Sequence, residues 1–400
     1  MTPDVWLWPL FFVAIGIGYG LGRFEGRRRQ RKRMAGLSRD YVRGLNFLLN
    51  EQPDQAVETL VNSLEVGEHT LETHLALGRL FRKRGELDRA TRVHQHLLAA
   101  GSLPVDARED VELELACDYM TGGLFDRAEM IFQRMVERES RHSVTAMHKL
   151  LSLFEQERDW NNALAIGEKL VRRDEAVAPV LAHYCCELAA GMTRDDERNA
   201  ARRTLRRALT FDAQCARASF LQGRLELNAG NPEHALRAFK RLREQDAALF
   251  DEVLDDVAAC YDALDRESEL VEFLTRCSVE QPSTGVILKL AERLRARYGE
   301  REASLFIAQY MKAHPSVRGL QRIVEMNLAD TDGQTREHLD ILQRLTDRLL
   351  SEQSSYQCHA CGFEARSLHW QCPGCKQWGT VRPAEAEVEG STHGPIAGPE

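Results

Sequence analysis

The sequence predicts an all-α protein built as an array of stacked helical hairpins, on the basis of three observations. Small residues recur at a nearly constant interval of about 34 to 38 positions along most of the chain. An uncharged run at residues 5–22 precedes this array, and two closely spaced cysteine pairs follow it. Such a period is typical of helical-repeat proteins, in which each hairpin buries its apolar face against its neighbours. We therefore expect one long array between two short terminal segments of different character.

The composition indicates a folded chain with an acidic body. Of the 400 residues, 43% are hydrophobic and 28% are charged, enough for one elongated domain or two to three compact ones. The formal net charge is −8, but seven basic side chains crowd into residues 23–33. Residues 35–400 consequently carry 46 basic and 59 acidic groups, or −13. This charge disfavours general nucleic-acid binding, so we expect no nucleic-acid partner.

The N-terminal segment has the pattern of a membrane anchor. Residues 5–22 contain no charged side chain, and as a helix of about 1.5 Å per residue they span roughly 27 Å, close to the thickness of a bilayer core. A cleaved signal peptide would need positive charge before the apolar run, but Asp4 stands there. The basic side chains follow the run instead, which places the rest of the chain on the cytoplasmic side. We predict a transmembrane anchor at residues 1–22 and a basic juxtamembrane segment at residues 23–37.

The clearest copy of the hairpin pattern runs from Leu77 to Ala90. Leu77 and Phe81 lie four residues apart and therefore share one helical face. Gly78 leaves space for a second helix to approach, and Gly85 favours the end of the first helix. Ala90 is the small residue expected where the two helices cross. The segment predicts a helix, a tight turn and a second helix.

The same pattern recurs along residues 38–350. A glycine or alanine stands twelve residues before the crossing alanine in most copies, and an aromatic residue often stands nine residues before it. Four residues after it, His94 occupies a position that carries phenylalanine in two other copies, so we expect packing rather than metal binding for this histidine. Copies beyond about residue 245 are weaker, as around Tyr261 and residues 299–303. The crossing alanines are Ala56, Ala90, Ala128, Ala163, Ala201 and Ala235.

Two Cys-x-x-Cys turns near the C-terminus form the strongest local motif. Cys358 and Cys361 make the first turn, ten residues intervene, and Cys372 and Cys375 make the second. Four thiolates at this spacing are typical of a tetrahedral metal site. Disulfides are the competing interpretation, but six other cysteines scattered through helical patterns indicate a reducing compartment. The sequence therefore predicts one metal ion in a four-cysteine site, and the ligand type leaves iron and zinc both open.

The residues around these cysteines extend the prediction to a small knuckle at residues 351–382. Residues 351–355 form a polar linker, and the segment from Ala365 to Trp370 has a strand-like pattern. His359 is expected to be a bystander, because four cysteines already complete the shell. Residues 383–400, rich in Pro, Gly and Glu, are expected to be a disordered tail. Four apolar side chains should pack the knuckle against the repeats: Phe363, Leu368, Trp370 and Trp378.

Three resemblances follow from these motifs. The period and the small and aromatic positions of residues 38–245, with weaker copies to about residue 350, resemble the tetratricopeptide repeat, which implies a superhelical solenoid. The cysteine turns resemble a rubredoxin-type or zinc-ribbon module. The opening motif at residues 37–49, the segment at residues 77–90 and the cysteine turns together look like the lipopolysaccharide assembly protein B family over essentially the full chain.

This family resemblance implies a function that no local motif gives. It implies a non-enzymatic adaptor at the cell inner membrane that limits lipopolysaccharide (lipid A) synthesis. The implied partners are the membrane AAA+ metalloprotease FtsH, its substrate the deacetylase LpxC, and other lipopolysaccharide-synthesis proteins. The family's metal ligands fall on Cys358, Cys361, Cys372 and Cys375. An alternative is a rubredoxin-like electron carrier at the membrane, which requires an iron that cycles between oxidation states.

Overall fold

A computed structural model of the chain describes residues 68–99, 103–192, 194–329, 332–352 and 355–384, together with residues 46, 47 and 55. The chain divides into two units, Met1–Arg173 and Asp174–Glu400. The predicted anchor, the basic segment and the crossing position Ala56 lie outside the described residues. None of the described helices is both long enough and apolar enough to cross a bilayer.

The described residues from 68 to 173 form three helical hairpins, as the repeat pattern predicts. The six helices are α1 (Glu68–Lys83), α2 (Leu87–Ala99), α3 (Val105–Thr121), α4 (Phe125–Glu137), α5 (Ser143–Glu157) and α6 (Trp160–Leu170). Gly85 has a φ of 80° in the turn between α1 and α2. A left-handed residue there ends the first helix, and glycine adopts that conformation without strain. The turn predicted from residues 77–90 is confirmed.

The second unit continues the helical pairs and ends in a small sheet. Its helices are α7 (Ala178–Gly191), α8 (Arg198–Phe211), α9 (Ala216–Asn228), α10 (Pro232–Gln245), α11 (Leu254–Ala263), α12 (Glu267–Glu280), α13 (Thr284–Tyr298), α14 (Glu300–Ala313), α15 (Val317–Ala329) and α16 (Gln334–Glu352). A 3₁₀ segment, Ala247–Val253, precedes α11. Helices therefore continue through the weaker copies of the pattern. Helix α16 also includes Ser351 and Glu352, which were predicted to open a linker.

The crossing positions form the core that the period predicts. All five crossing alanines in the described part of the chain are at most 1% exposed, and Ala303 continues the series in α14. The glycines twelve residues earlier make room for a side chain of the second helix rather than for its backbone. A Cβ added at Gly78 would lie 2.3 Å from His94 Nε2, and one at Gly223 would lie 2.2 Å from the ring of Phe239. Glycine is therefore required where the partner side chain is large.

We expect Gly223→Ala to destabilise the second unit by about 1–3 kcal/mol, because the new methyl group must displace the Phe239 ring from a close-packed core. Urea unfolding followed by circular dichroism measures the change. Gly191→Ala is the matched control, since a Cβ there meets no atom within 4 Å. Equal midpoints for the two variants would contradict the proposed packing. Adding Phe239→Leu to Gly223→Ala should recover part of the loss.

His94 packs in the core and also forms a buried hydrogen bond with Asp118. Its ring is fully buried and its Nδ1 lies 2.5 Å from Asp118 Oδ2, while its Nε2 has no hydrogen-bond partner in the described part of the chain. Arg82 bonds the same carboxylate at 2.7 Å and also bonds Glu114 at 2.6 Å. Burial raises the pKa of Glu114, but hydrogen bonds from Arg82 and Arg79 outweigh it, so the pKa is lowered. These side chains form a buried charged network that links α1, α2 and α3.

The C-terminal module is a three-stranded antiparallel sheet with strand order β2-β1-β3. The strands are β1 (Tyr356–Cys358), β2 (Glu364–Ala365) and β3 (Val381–Pro383). Cys358 pairs with Val381, and Tyr356 pairs with Ala365. The strand-like segment predicted from Ala365 to Trp370 is therefore wrong beyond its first residue. Pro383, predicted to begin the tail, is the last residue of β3, and residues from 385 on lie outside the described part of the chain.

Candidate metal centre and its docking surface

The two cysteine turns have the same backbone geometry. In the first, the N–H of Gly362 donates to the carbonyl of Cys358 at 2.8 Å, and in the second the N–H of Lys376 donates to Cys372 at 2.9 Å. The residue after each second cysteine is left-handed, with φ of 75° at Gly362 and 61° at Lys376. The N–H of each first cysteine also donates to the carbonyl five residues on. The repeated Cys-x-x-Cys spacing thus produces two equivalent turns.

These turns bring the four predicted ligands together. The sulfur atoms of Cys358, Cys361, Cys372 and Cys375 all lie within 4.8 Å of one another. Cys358 Sγ is 3.8 Å from Cys375 Sγ, and Cys361 Sγ is 3.6 Å from Cys372 Sγ. Cys358 and Cys372 are buried, whereas Cys361 is exposed. The predicted bystander His359 is exposed and is not part of this group.

The surroundings of the sulfurs differ, and those of Cys358 favour a thiolate. The hydroxyl of Thr380 lies 3.3 Å from Cys358 Sγ. Hydrogen bonds from this hydroxyl, and then from the N–H groups of Ala360 and Cys361, lower the pKa of Cys358. At Cys361 the N–H of Phe363 lowers the pKa, but desolvation and the three neighbouring sulfurs outweigh it and raise the pKa to about 11. Four sulfur donors fit a tetrahedral metal ion, which would favour the thiolate form, join the two turns and neutralise their charge. This donor set accepts either iron or zinc.

Two tryptophans attach the sheet to the helices of the second unit. The Trp378 ring stacks on His183 of α7, with ring centroids 5.1 Å apart, and meets the edge of Tyr184 at 6.0 Å. Trp370 contacts Phe220 of α9 edge to face at 5.4 Å, and Leu368 packs on the same helical core. The contacts predicted for these side chains are confirmed. They also explain the missing strand, because residues 366–370 turn toward the helices instead of pairing.

Phe363 behaves differently from the prediction. It packs inside the sheet module, against the core formed by Cys358, Cys372 and Val381. So small a module has too few residues to cover its own metal-ligand core without an aromatic side chain. The prediction that Phe363 contacts the repeats is therefore wrong.

Two polar contacts fix the orientation of the sheet. Arg382 Nε bonds Asp246 Oδ2 at 2.7 Å, and the Tyr356 hydroxyl donates to Glu252 at 2.7 Å. Burial, followed by the hydrogen bond to this carboxylate, raises the pKa of Tyr356. Both acceptors lie at the 3₁₀ segment before α11. The sheet thus contacts three successive hairpins.

A buried arginine lies at the centre of this contact. The Arg217 guanidinium is 5.5 Å from the Trp370 ring and 5.6 Å from the Trp378 ring, and it bonds Glu187 at 2.8 Å. Its Nε and Nη1 atoms, and Nδ1 of His183, have no hydrogen-bond partner among the described residues. Burial, and then the charge of Arg217, lowers the pKa of His183 to about 3, so this ring is neutral.

The sequence motifs did not indicate His183, Arg217 or Glu252. The sequence did contain one signal. Each of these residues is one repeat period from the next, so the three occupy the equivalent position in three successive repeats.

Fold and site together define a helical-repeat protein with a four-cysteine ribbon docked on its second unit. Residues 356–383 match the model of the rubredoxin metal binding domain. Lipopolysaccharide assembly protein B of Escherichia coli K12 is 34% identical over 379 residues, covering 94% of this chain and 97% of the relative. That of Haemophilus influenzae is 30% identical over 387 residues, with the same coverage. The chain belongs to the lipopolysaccharide assembly protein B family.

Among solved structures, a tetratricopeptide repeat protein from Parabacteroides merdae is similar, with a TM-score of 0.32 and 15% identity, over 69% of this chain and 98% of that one.

Proposed function

We propose that this protein is a non-catalytic adaptor at the cell inner membrane that limits lipopolysaccharide synthesis. It would do so by presenting the deacetylase LpxC to the membrane metalloprotease FtsH, and it would also gather other synthesis enzymes at the membrane. The observation that carries the proposal is family membership over 94% of the chain. The name of that family connects this chain to lipopolysaccharide assembly.

Helical repeats suit such a role because they offer extended binding faces without a catalytic centre. An adaptor accelerates the encounter of two partners by raising their effective concentration. The proposed anchor at residues 1–22 would hold the repeats at the cytoplasmic side of the membrane, where a membrane-bound protease acts. In this proposal the ribbon, with its metal ion, iron or zinc, covers one face of the second unit.

Deleting residues 1–22 tests the role of the anchor. We expect the deacetylase half-life to increase about fivefold or more in cells that contain only the shortened protein, because tethering contributes through effective concentration. Pulse-chase labelling measures the half-life. The matched control replaces residues 5–22 with an unrelated transmembrane helix of equal length and retains the basic residues 23–33. The control should restore turnover, and normal turnover in the deletion variant would contradict the proposal.

A further inference from the structure

The ribbon contacts one repeated position of the second unit. His183 and Arg217 each stand eighteen positions before a crossing alanine, Ala201 and Ala235. Glu252 stands equally far before Leu270, a fully buried residue of α12 that takes the place of the crossing alanine. All three side chains contact the ribbon: His183 and Arg217 through tryptophan rings, and Glu252 through Tyr356. The ribbon therefore follows the register of three successive hairpins.

Equivalent positions in successive repeats form a continuous line on a helical array, and such lines are the surfaces that repeat proteins use to bind extended partners. His183 lies in α7, the first helix of its pair, and Arg217 near the start of α9, the first helix of the next. Glu252 immediately precedes α11, the first helix of the third. The ribbon, a segment of the same chain, thus covers the face of the second unit on which a segment of a partner protein would bind.

The contact leaves polar groups unsatisfied. The Arg217 residue is 6% exposed, yet its Nε and Nη1 have no hydrogen-bond partner among the described residues, and the guanidinium lies over the π faces of the two tryptophan rings. A buried N–H group without a partner destabilises the state that contains it. The remaining amino group of Arg217, Nη2, bonds Glu187. A carboxylate is the strongest acceptor for the two N–H groups that stay unpaired, because a charge-assisted hydrogen bond is about twice as strong as a neutral one. An aromatic ring beside the carboxylate would replace the tryptophan on His183.

We propose that the ribbon is a displaceable occupant of this face, and that a partner segment with an aromatic residue beside a carboxylate binds His183 and Arg217 once the ribbon has moved away. The inference rests on the adaptor function proposed above and gives it a binding site. The docked ribbon competes as a tethered ligand at high effective concentration, so it weakens partner binding until it is released. Its metal ion holds the two tryptophans in one rigid unit, because Trp370 and Trp378 flank the second cysteine turn.

Release of the ribbon is tested in the full chain in detergent, with its metal retained. Trp370→Ala with Trp378→Ala removes the rings but none of the cysteines. The probe is a fluorescein-labelled synthetic peptide of tryptophan–glutamate pairs separated by glycine. The control peptide carries lysine in place of glutamate. We expect the double variant to bind the glutamate peptide about tenfold more tightly than the unaltered protein does, and to show no such gain for the lysine peptide.

Adding Arg217→Gln to the double variant should abolish this gain, because the carboxylate loses its charged partner. Equal affinity of the unaltered and double-variant proteins, or a gain that survives Arg217→Gln, would overturn the proposal. If the double variant fails to fold, Tyr356→Phe with Arg382→Gln weakens docking through the polar contacts and should give a smaller gain of the same kind. The two experiments test different proposals. Unchanged peptide affinity in vitro would contradict the displaceable ribbon, whereas normal deacetylase turnover without the anchor would contradict the adaptor function.

Discussion

Replacing Cys358 and Cys372 together by serine is expected to remove the metal ion and unfold the ribbon. These are the two buried ligands, one from each turn, and their loss leaves only one thiolate per turn. A module of this size has too little core to remain folded without its metal. Elemental analysis of the full chain should show metal falling from about one ion per chain to near zero, as expected for a site that needs all its ligands.

The same variant should leave the helical repeats folded, because their core does not depend on the metal. Limited proteolysis should cut residues 356–383 while the helices resist. Cys117→Ser is the matched control, since that thiol lies on α3 of the first unit and should leave the metal content unchanged. A full complement of metal in the double variant would show that the four-cysteine assignment is wrong.

The identity of the metal ion also distinguishes the adaptor hypothesis from the electron-carrier hypothesis. The four sulfurs lie close together, and this donor set accepts either iron or zinc. Zinc in protein purified from native cells, with deacetylase turnover intact, would exclude electron transfer, because zinc has no redox chemistry. Reversible oxidation of a bound iron, with turnover that depends on its redox state, would favour the alternative.

Local patterns predicted the convergence of the four cysteines and the repeat register well. The spacing of Cys358 and Cys361 already fixes the turn, because its hydrogen bonds join residues four and five apart. Ala90 and Gly78 similarly lie where the two helices of one hairpin pack against each other. Such short-range constraints are visible in the sequence because each depends on a few neighbouring residues.

The residues of the helices that the ribbon contacts could not be predicted in the same way. The contact between Trp378 and His183 joins residues nearly two hundred positions apart. The sequence shows that Phe363, Trp370 and Trp378 are apolar, but only the folded sheet determines that Phe363 points inward. The buried partner Asp118 was likewise missed, because the phenylalanine at other repeats suggested an apolar site for His94. A charged residue in a helical pattern gives no sign of burial until its partner is known.

Asp118→Ala is expected to destabilise the first unit by about 3–5 kcal/mol, the usual cost of breaking a buried ion pair. The substitution leaves the buried His94 ring with no acceptor and removes one carboxylate from Arg82, which is bonded to Asp118 at 2.7 Å. Urea unfolding of the full chain, followed by the transition of the first unit, measures this loss. Asp126→Ala on the exposed start of α4 is the control and should change stability by about 0.5 kcal/mol or less.

The pH dependence of the free energy of unfolding of the first unit should show the contribution of Glu114. Its folded-state pKa is lowered from 4.5, so the stability that it contributes is present above that value and is lost as the pH falls below it. The unaltered first unit should therefore lose stability in acid. The loss should be smaller for Glu114→Gln, which has no carboxylate to protonate. An identical acid profile for the two proteins would contradict a charged network.

A triple variant with apolar side chains distinguishes two contributions to stability. One is the net contribution of the charged network, and the other is the cost of leaving one of its members without a partner. In the register of the second unit, the positions of Arg82, His94 and Asp118 hold Leu227, Phe239 and Cys260, none of them charged. Changing the three residues together to leucine, phenylalanine and alanine removes both side chains that bond Asp118, and Glu114 keeps its bond from Arg79. Because a buried ion pair is often matched in stability by apolar side chains of similar volume, this triple variant should recover more than half of the loss. If the triple variant is as unstable as Asp118→Ala, the network itself stabilises the fold, and the apolar repeats are not equivalent to it.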